Sequence, residues 1–144
     1  MLSFEEYKVL AAPDSVFYVP DFISESEEKS LLDQISRTPG PRWTQLSNRR
    51  LQNWGGVPHP RGMIAETLPA WLQTHVDRVN DTGVFDNNCD DKPVRANHVL
   101  LNEYLPGEKK DVTKDVHLLF ESTELHSNTI FELFFSNIFF QVKG

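Results

Sequence analysis

The stretch Val94–Glu108, VRANHVLLNEYLPGE, decides how the fold of this chain is interpreted. Its centre, residues 99–101, is an apolar run between polar side chains, and a Pro-Gly pair at 106–107 follows it as a turn. A bounded apolar run of this length predicts a buried strand rather than a helix. We therefore expect a sheet that contains this strand.

Two polar side chains leave the predicted strand on one side. Asn102 and Tyr104 are two residues apart, and alternate residues of a strand project from the same face. Side by side at the mouth of a sheet, they could hold a small anionic ligand. The other explanation is that Asn102 satisfies the strand end and Tyr104 packs its ring, and spacing alone favours this explanation.

One strand and two helices are predicted before this stretch. Ser15–Pro20 is β-branched and aromatic, which predicts a strand that ends at a proline. Ser24 and Glu27 form a capping box, so we expect a helix that begins there and ends before the Pro-Gly-Pro at 39–41. Leu68–Asn80 has apolar residues at helical spacing and predicts the second helix.

The segment 42–61 is basic and aromatic. No Asp or Glu occurs from Thr38 to Ala65, whereas four arginines and two tryptophans do. We expect a short hairpin with its turn near Ser47-Asn48, and then a loop over GGVPHPRG, residues 55–62. Aromatic rings beside guanidinium and amide groups suit stacking on a base and contact with phosphate. Alternatively, the tryptophans anchor the core and the arginines form a solvated face. The spacing of the residues alone favours this structural explanation.

Composition limits the class of protein. A chain of 144 residues is enough for one domain, and a net charge of -7 disfavours nonspecific attraction of the whole chain to nucleic acid. The single Cys89 excludes an internal disulfide and fits a cytoplasmic or nuclear location, and its acidic neighbours make it a poor nucleophile. No stretch predicts a signal peptide or a membrane span. His75 is expected at the surface or boundary rather than as a ligand.

The chain changes character after Glu108. All nine prolines lie at or before Pro106, and six of the ten phenylalanines lie between Phe120 and Phe140. A sheet protein needs frequent turn residues, and here only Ser-Asn pairs at 127–128 and 136–137 provide them. We interpret residues 109–144 as a divergent Phe-rich tail rather than the native continuation of the domain, produced by splicing, intron read-through or a faulty gene model. We expect it to pair as one or two strands.

The words FYVPDFIS, RWTQLSNRRLQNWGGVPHPRGM, LPAWLQ and RANHVLLNEYLPGE resemble the N-terminal part of the AlkB-like Fe(II)/2-oxoglutarate dioxygenases, closest to the branch of the sixth AlkB homologue. LQNWGG and NEYLPGE together are specific, whereas either alone is weak. The resemblance covers about residues 16–108 and leaves 1–15 as an N-terminal extension. It implies an α+β fold: an incomplete double-stranded β-helix, or jelly-roll, with N-terminal helices packed on a small sheet.

The resemblance also implies a function, which is oxidative removal of alkyl groups from nucleic acid with Fe(II) and 2-oxoglutarate. By match to the motif, Asn102 and Tyr104 would contact 2-oxoglutarate. The loop that resembles the nucleotide-recognition lid would contact the substrate through five residues: Arg49, Arg50, Gln52, Asn53 and Trp54.

The continuation KKDVTKDVHLLF departs from the family, because it contains no H-x-D. Counting from Asn102, the family's metal histidine falls at Thr113 and its aspartate at Asp115. A reversed pair, Asp115 with His117, could act only with a third ligand, for which His126 is the downstream candidate. No arginine follows Arg95 to pair with the 2-oxoglutarate carboxylate. We therefore assign no catalytic or metal residue and expect neither iron nor 2-oxoglutarate to be bound.

Three hypotheses follow from these residues. The first is an AlkB-like chain that is catalytically inactive as sequenced. The second is a non-enzymatic module that binds RNA or DNA through the basic aromatic segment 42–61. The third is a functional dioxygenase with a rearranged site formed by Asp115, His117 and His126.

Overall fold

The computed structural model describes residues 4–11, 16–83, 95–104, 115–121, 129–134 and 137–142, with side chains for residues 6–11, 18–83 and 95–104. The helices are α1 (Glu25–Ser36) and α2 (Ala70–Asp81). The strands are β1 (Val16–Val19), β2 (Thr44–Gln45), β3 (Arg50–Trp54), β4 (Gly56–His59), β5 (Gly62–Ala65), β6 (His98–Tyr104), β7 (Asp115–Glu121), β8 (Thr129–Phe134) and β9 (Asn137–Val142). Short 3-10 turns lie at Phe4–Tyr7 and Gly40–Arg42. Within these residues, neither helix has the length and apolar character needed to cross a bilayer.

Helix α1 confirms the predicted capping box. The Ser24 hydroxyl accepts from the Glu27 backbone N–H, and the Glu27 carboxylate accepts from the Ser24 N–H at 2.8 Å. Both bonds satisfy donors that a helix start would otherwise leave exposed. Leu31 and Ile35 are buried on the inner face of α1, as their spacing predicts.

Helix α2 also forms where the sequence predicts it, with Pro69 at its N-cap. Arg78 of this helix donates to the Glu27 carboxylate and to the Phe22 carbonyl, and so ties α2 to the start of α1. The expectation that His75 lies at the surface or boundary is wrong: the residue is only 9 % exposed. It lies one residue before Val76 on the apolar stripe, and the pattern that predicts the helix does not fix the width of its buried face.

Seven strands form one antiparallel sheet in the order β1-β9-β8-β7-β6-β3-β2. The predicted hairpin is confirmed, since β2 pairs with β3 and Ser47-Asn48 lies in their connection. The predicted strand around residues 99–101 is β6, which lies between β3 and β7. Helices beside antiparallel strands confirm the α+β class.

Strand β6 presents different chemistry on its two sides. Val99 and Leu101 belong to the buried core together with apolar residues of both helices, so we call this side the helix side. The register pairs Gln52 with Leu101 and Trp54 with Val99, which places alternate residues of β3 on the helix side as well. The intervening residues form the far side, which carries Asn102.

A charged pair crosses from β3 to β6 on the helix side. Arg50 donates to the carboxylate of its register partner Glu103, which is 2 % exposed. The Arg50 guanidinium also stacks on the ring of Trp43, with 3.9 Å from Cζ to the ring centroid. A buried carboxylate needs a cation with good geometry, so this pair favours one register of β3 on β6.

The expectation that residues 55–62 form a loop is wrong over most of its length. Strands β4 and β5 pair as a two-stranded ribbon (Gly56–Ala65), with Pro60-Arg61 at its turn. Pro58 is tolerated because a ribbon of two strands is all edge, so a residue without an N–H interrupts no inner ladder. Gly55 precedes the ribbon at φ +87°, and a Cβ there would lie 2.2 Å from the Asn97 carbonyl oxygen. Only glycine fits this position.

The tail contributes more strands than expected. Strands β7, β8 and β9 pair in succession, and β9 pairs with β1 so that Tyr18 lies opposite Phe139. The expectation of one or two strands is therefore too low. The tail is rich in residues with high β propensity, and β8 and β9 pair with Phe134 opposite Asn137. Three of the four residues of the two Ser-Asn pairs, Ser127, Asn128 and Ser136, lie outside the described residues. The expected turn at Pro106-Gly107 and the Cys89 loop lie outside the described residues.

The stability of the fold should decrease in acid in two steps. Burial, with Arg78 as a second cause, lowers the pKa of His75 below 6.5, and Arg78 with the Ser24 N–H lowers the pKa of Glu27 from 4.5 to about 2. Both groups bind more protons in the unfolded chain than in the folded chain. The free energy of unfolding should therefore fall as pH drops below 6.5, and again between 4.5 and about 2.

Urea unfolding across this pH range measures both steps. His75→Gln should flatten the upper step and leave the lower one, because it removes only the imidazole. An upper step that persists in His75→Gln would assign it to another group.

The Arg50–Glu103 pair gives a second stability prediction. Arg50→Met should lower the free energy of unfolding by about 3 kcal/mol, because it removes the guanidinium from a buried carboxylate. Adding Glu103→Leu should recover at least about 1 kcal/mol, because the pair then becomes apolar. Urea unfolding of the four variants of this cycle gives the coupling energy, and strictly additive costs would contradict it.

Candidate functional site

The far side of β6 holds the two residues predicted to contact 2-oxoglutarate. Asn102 and Tyr104 lie two apart on this strand and therefore share a side. Asn102 is 4 % exposed, and its Oδ1 has no hydrogen-bond partner among the residues that the structure describes. A buried acceptor without a donor is uncommon in folded proteins. The atom is therefore placed to accept a hydrogen bond from a ligand or a water.

The backbone register places strand β7 of the tail next to these residues of β6. Asn102 lies opposite His117, and Tyr104 lies opposite Asp115. The reversed Asp-x-His pair predicted from the sequence therefore occupies register positions beside the candidate cosubstrate residues. Thr113 and His126 lie outside the described residues. Among the residues with described side chains, no three His, Cys, Asp or Glu residues cluster as a metal site would require.

One H-x-D does occur earlier in the chain, and sequence reasoning missed it. His75 and Asp77 lie in α2, where His75 is buried and Asp77 is exposed and accepts from Gln73 at 2.8 Å. Residues two apart on a helix project about 200° apart, because each residue turns it by about 100°. These two side chains cannot ligate one metal, so this H-x-D is not a metal motif.

The five predicted substrate residues do not form one surface: Arg50, Gln52 and Trp54 share the helix side, and the other two do not join them. Gln52 is fully buried on the helix side, and its Oε1 accepts from the Trp54 indole N–H at 2.8 Å. Arg50 is held by Glu103 on the same side. Asn53 falls on the far side by register, and Arg49 precedes the strand.

The indole of Trp54 has internal partners on two sides. Trp71 meets it edge-on with 5.6 Å between ring centroids, and the Arg42 guanidinium stacks on it at 4.2 Å. Trp43 also packs against the core. For the two tryptophans, these contacts support the alternative in which they are core anchors.

In segment 42–61, Arg49 and Arg61 differ from the other two arginines in their surroundings. Arg61 lies in the exposed turn of the ribbon, and Arg49 is half-buried. The Nε of Arg49 is buried and has no hydrogen-bond partner within the described part of the chain. In that part of the chain, these residues form no ion pair at the distances that define one, whereas Arg42 and Arg50 each have a glutamate.

Sequence reasoning also missed Glu103 and Glu66. A signal for Glu103 was present, because it alternates with Val99 and Leu101 and so had to share their buried side. A carboxylate there requires a cation, and the neighbouring strand supplies Arg50. Nothing local marked Glu66, because its partner Arg42 lies 24 residues away.

A cavity of about 310 Å³ lies between the ribbon and the start of α2. Met63 and Ala65 of the ribbon form one wall, and Leu68 and Gln73 form another. Met63 lies over Gly56, where a Cβ would fall 2.5 Å from the Met63 Cγ. The apolar side chains of the ribbon are only partly covered, since Met63, Val57 and Ile64 are 37 %, 40 % and 55 % exposed.

Comparison with known proteins places the chain in a family. No protein-family model matches it. A protein of Danio rerio named probable RNA/DNA demethylase ALKBH6 is 53 % identical to it over 108 residues. The match covers 75 % of this chain and 44 % of the relative, so the chain spans less than half of that protein's length. The matched part of the chain belongs to the AlkB-like family, on the branch of the sixth AlkB homologue.

Proposed function

We propose that this chain derives from an AlkB-like dioxygenase that dealkylates nucleic acid, and that it is catalytically inactive as it stands. The observation that carries the proposal is the continuation after Tyr104. The next strand, β7, begins at Asp115 and supplies Asp-x-His where the family supplies H-x-D. The position of the family's metal histidine is therefore occupied by Thr113, and of this pair only Asp115 keeps the family's residue type.

The donor set does not fit the family's iron. Non-haem iron of this class needs two imidazoles and one carboxylate on one face, with positions left open. Threonine at position 113 cannot replace an imidazole, so at most Asp115 remains in register. Asn102 and Tyr104 alone, without metal and without a later arginine, do not orient 2-oxoglutarate.

The fold and domain assignments belong to the same proposal. Residues 16–108 form the front part of a jelly-roll domain, with α1 and α2 packed on its sheet. Residues 109–144 complete the sheet through β7 to β9 without restoring the site. The resemblance, the α+β class and the polar far side of β6 support this assignment.

An activity assay tests the proposal. Purified chain with Fe(II), 2-oxoglutarate, ascorbate and methylated single-stranded oligonucleotide should form no succinate above a blank without protein. The Danio rerio relative, assayed in parallel, shows whether the conditions support turnover. Iron-dependent succinate formation by this chain would refute inactivity.

The third hypothesis, a rearranged iron site, has one supporting observation, which is the placement of Asp115 and His117 opposite Tyr104 and Asn102. Metal analysis after loading with Fe(II) under anaerobic conditions separates it from the main proposal. Stoichiometric iron that is lost in His117→Ala would establish the rearranged site, whereas no retained iron excludes it.

A non-enzymatic role in binding RNA or DNA is the second candidate. Arg61 at the tip of the ribbon and Arg49 beside β3 are its candidate phosphate contacts. Arg50 is a poor test residue, because its loss also removes the cation from the buried Glu103. The surface of segment 42–61 is therefore less basic than its sequence implies.

Binding to a short single-stranded RNA oligonucleotide tests this role. The double variant Arg49→Ala plus Arg61→Ala should weaken binding and reduce the slope of log affinity against log salt by one to two, since each lost phosphate contact removes about one unit. Arg37→Ala, which removes an exposed cation at the C-cap of α1, is the matched control. Equal affinity and slope in the double variant and the control would eliminate this role.

A further inference from the structure

Arg42 makes contacts on both sides of the base of the ribbon. Its Nη2 donates to the Asn53 backbone carbonyl at 2.9 Å and to the Glu66 carboxylate at 2.9 Å. Its guanidinium also lies on the ring of Trp54, 4.2 Å from the centroid. Asn53 and Trp54 lead into the ribbon, whereas Glu66 directly follows it.

Within the part of the chain that the structure describes, few other contacts hold the ribbon to the body. Its base is closed by a backbone bond from the Glu66 N–H to the Gly55 carbonyl at 3.0 Å. Its apolar side chains Met63, Val57 and Ile64 are 37 %, 40 % and 55 % exposed, and Met63 lies over Gly56 of the ribbon itself. A two-stranded hairpin alone is marginally stable in water, so its position depends on the contacts at its base.

We propose that Arg42 is a positioning residue that clamps the two ends of the ribbon through Trp54, Asn53 and Glu66. The clamp fixes where the ribbon projects and hence where its Arg61 tip is presented. A lysine cannot replace Arg42, because the clamp uses a planar guanidinium that stacks on an indole while donating in its own plane.

An isolated surface ion pair would not have this effect. Such pairs contribute little, since both charges stay hydrated. Glu66 is exposed, but Arg42 is half-buried, and its guanidinium is already held by the indole and a backbone carbonyl. The side-chain entropy lost in ordering Arg42 is therefore offset by three contacts rather than by the ion pair alone. The other two contacts hold the guanidinium in the orientation that donates to Glu66.

Hydrogen exchange by mass spectrometry tests the clamp without any ligand. Arg42→Met should accelerate exchange of the ribbon amides, residues 56–66, by about tenfold, which corresponds to the loss of a charged hydrogen bond or a half-buried cation–π contact. Exchange in β6, residues 98–104, should stay unchanged. Arg42→Lys should give an intermediate increase in ribbon exchange, and Glu66→Gln a smaller one.

Controls separate local positioning from general stability. Arg37→Met removes the arginine of the exposed i,i+4 pair with Asp33 and should leave ribbon exchange unchanged. Ribbon exchange that is unaltered in both Arg42→Met and Glu66→Gln would overturn the proposal. It would also be overturned if β6 accelerated as much as the ribbon, because Arg42 would then stabilise the whole domain.

The consequence for nucleic acid rests on the binding role proposed above. Arg42→Met should weaken binding of single-stranded RNA but keep the salt slope, because the clamp touches no phosphate, whereas Arg61→Ala should lower the slope by about one. A lower slope in Arg42→Met would make Arg42 a phosphate contact. If the unmodified chain binds no RNA, the binding role fails and the exchange result alone decides the clamp.

Discussion

The alternation of β6 is the constraint on which the rest of this structure depends. One side of the strand carries Val99 and Leu101 into the core formed with the two helices, and the other side carries Asn102. A slip of one residue would exchange the sides and expose the apolar set. The Arg50–Glu103 pair opposes such a slip, because a misplaced Glu103 would lose its cation. The residues that pack the core and the candidate ligand residues thus lie on opposite sides of the same strand.

The same physics explains why the basic segment is less basic in three dimensions than in sequence. Segment 38–65 contains no acid, yet two of its arginines are neutralised by glutamates from outside it. Each guanidinium also stacks on a tryptophan of the segment, Arg42 on Trp54 and Arg50 on Trp43. Each of these two groups consists of an arginine, a tryptophan and a glutamate, but the groups differ in burial. The pair with Glu103 lies in the sheet, and the pair with Glu66 lies at its margin.

Features set by neighbouring residues were predictable, and features set by distant ones were not. The start of α1 follows from Ser24 and Glu27, and β6 follows from its bounded apolar run. The ribbon was missed because its prolines and glycines are typical of loops, and only the paired backbone reveals a two-stranded element. The direction of His75 depends on how α2 packs, which its own sequence does not specify. For the candidate site, sequence placed Asn102 and Tyr104 on one side, but it could not assign Arg42 and Arg50 to their distant glutamates.

The Oδ1 of Asn102, which has no hydrogen-bond partner among the described residues, bears on the proposed origin of this chain. A buried acceptor without a donor costs about 1–3 kcal/mol, which an apolar residue of similar size would avoid. Core packing does not require an amide on the far side, since Val99 and Leu101 supply the apolar contacts on the other. This favours the ligand role proposed for Asn102 over a purely structural one. The helix side of β6 packs the core and the far side does not, so substitutions in the neighbouring strand β7 can change the far side without loss of that packing.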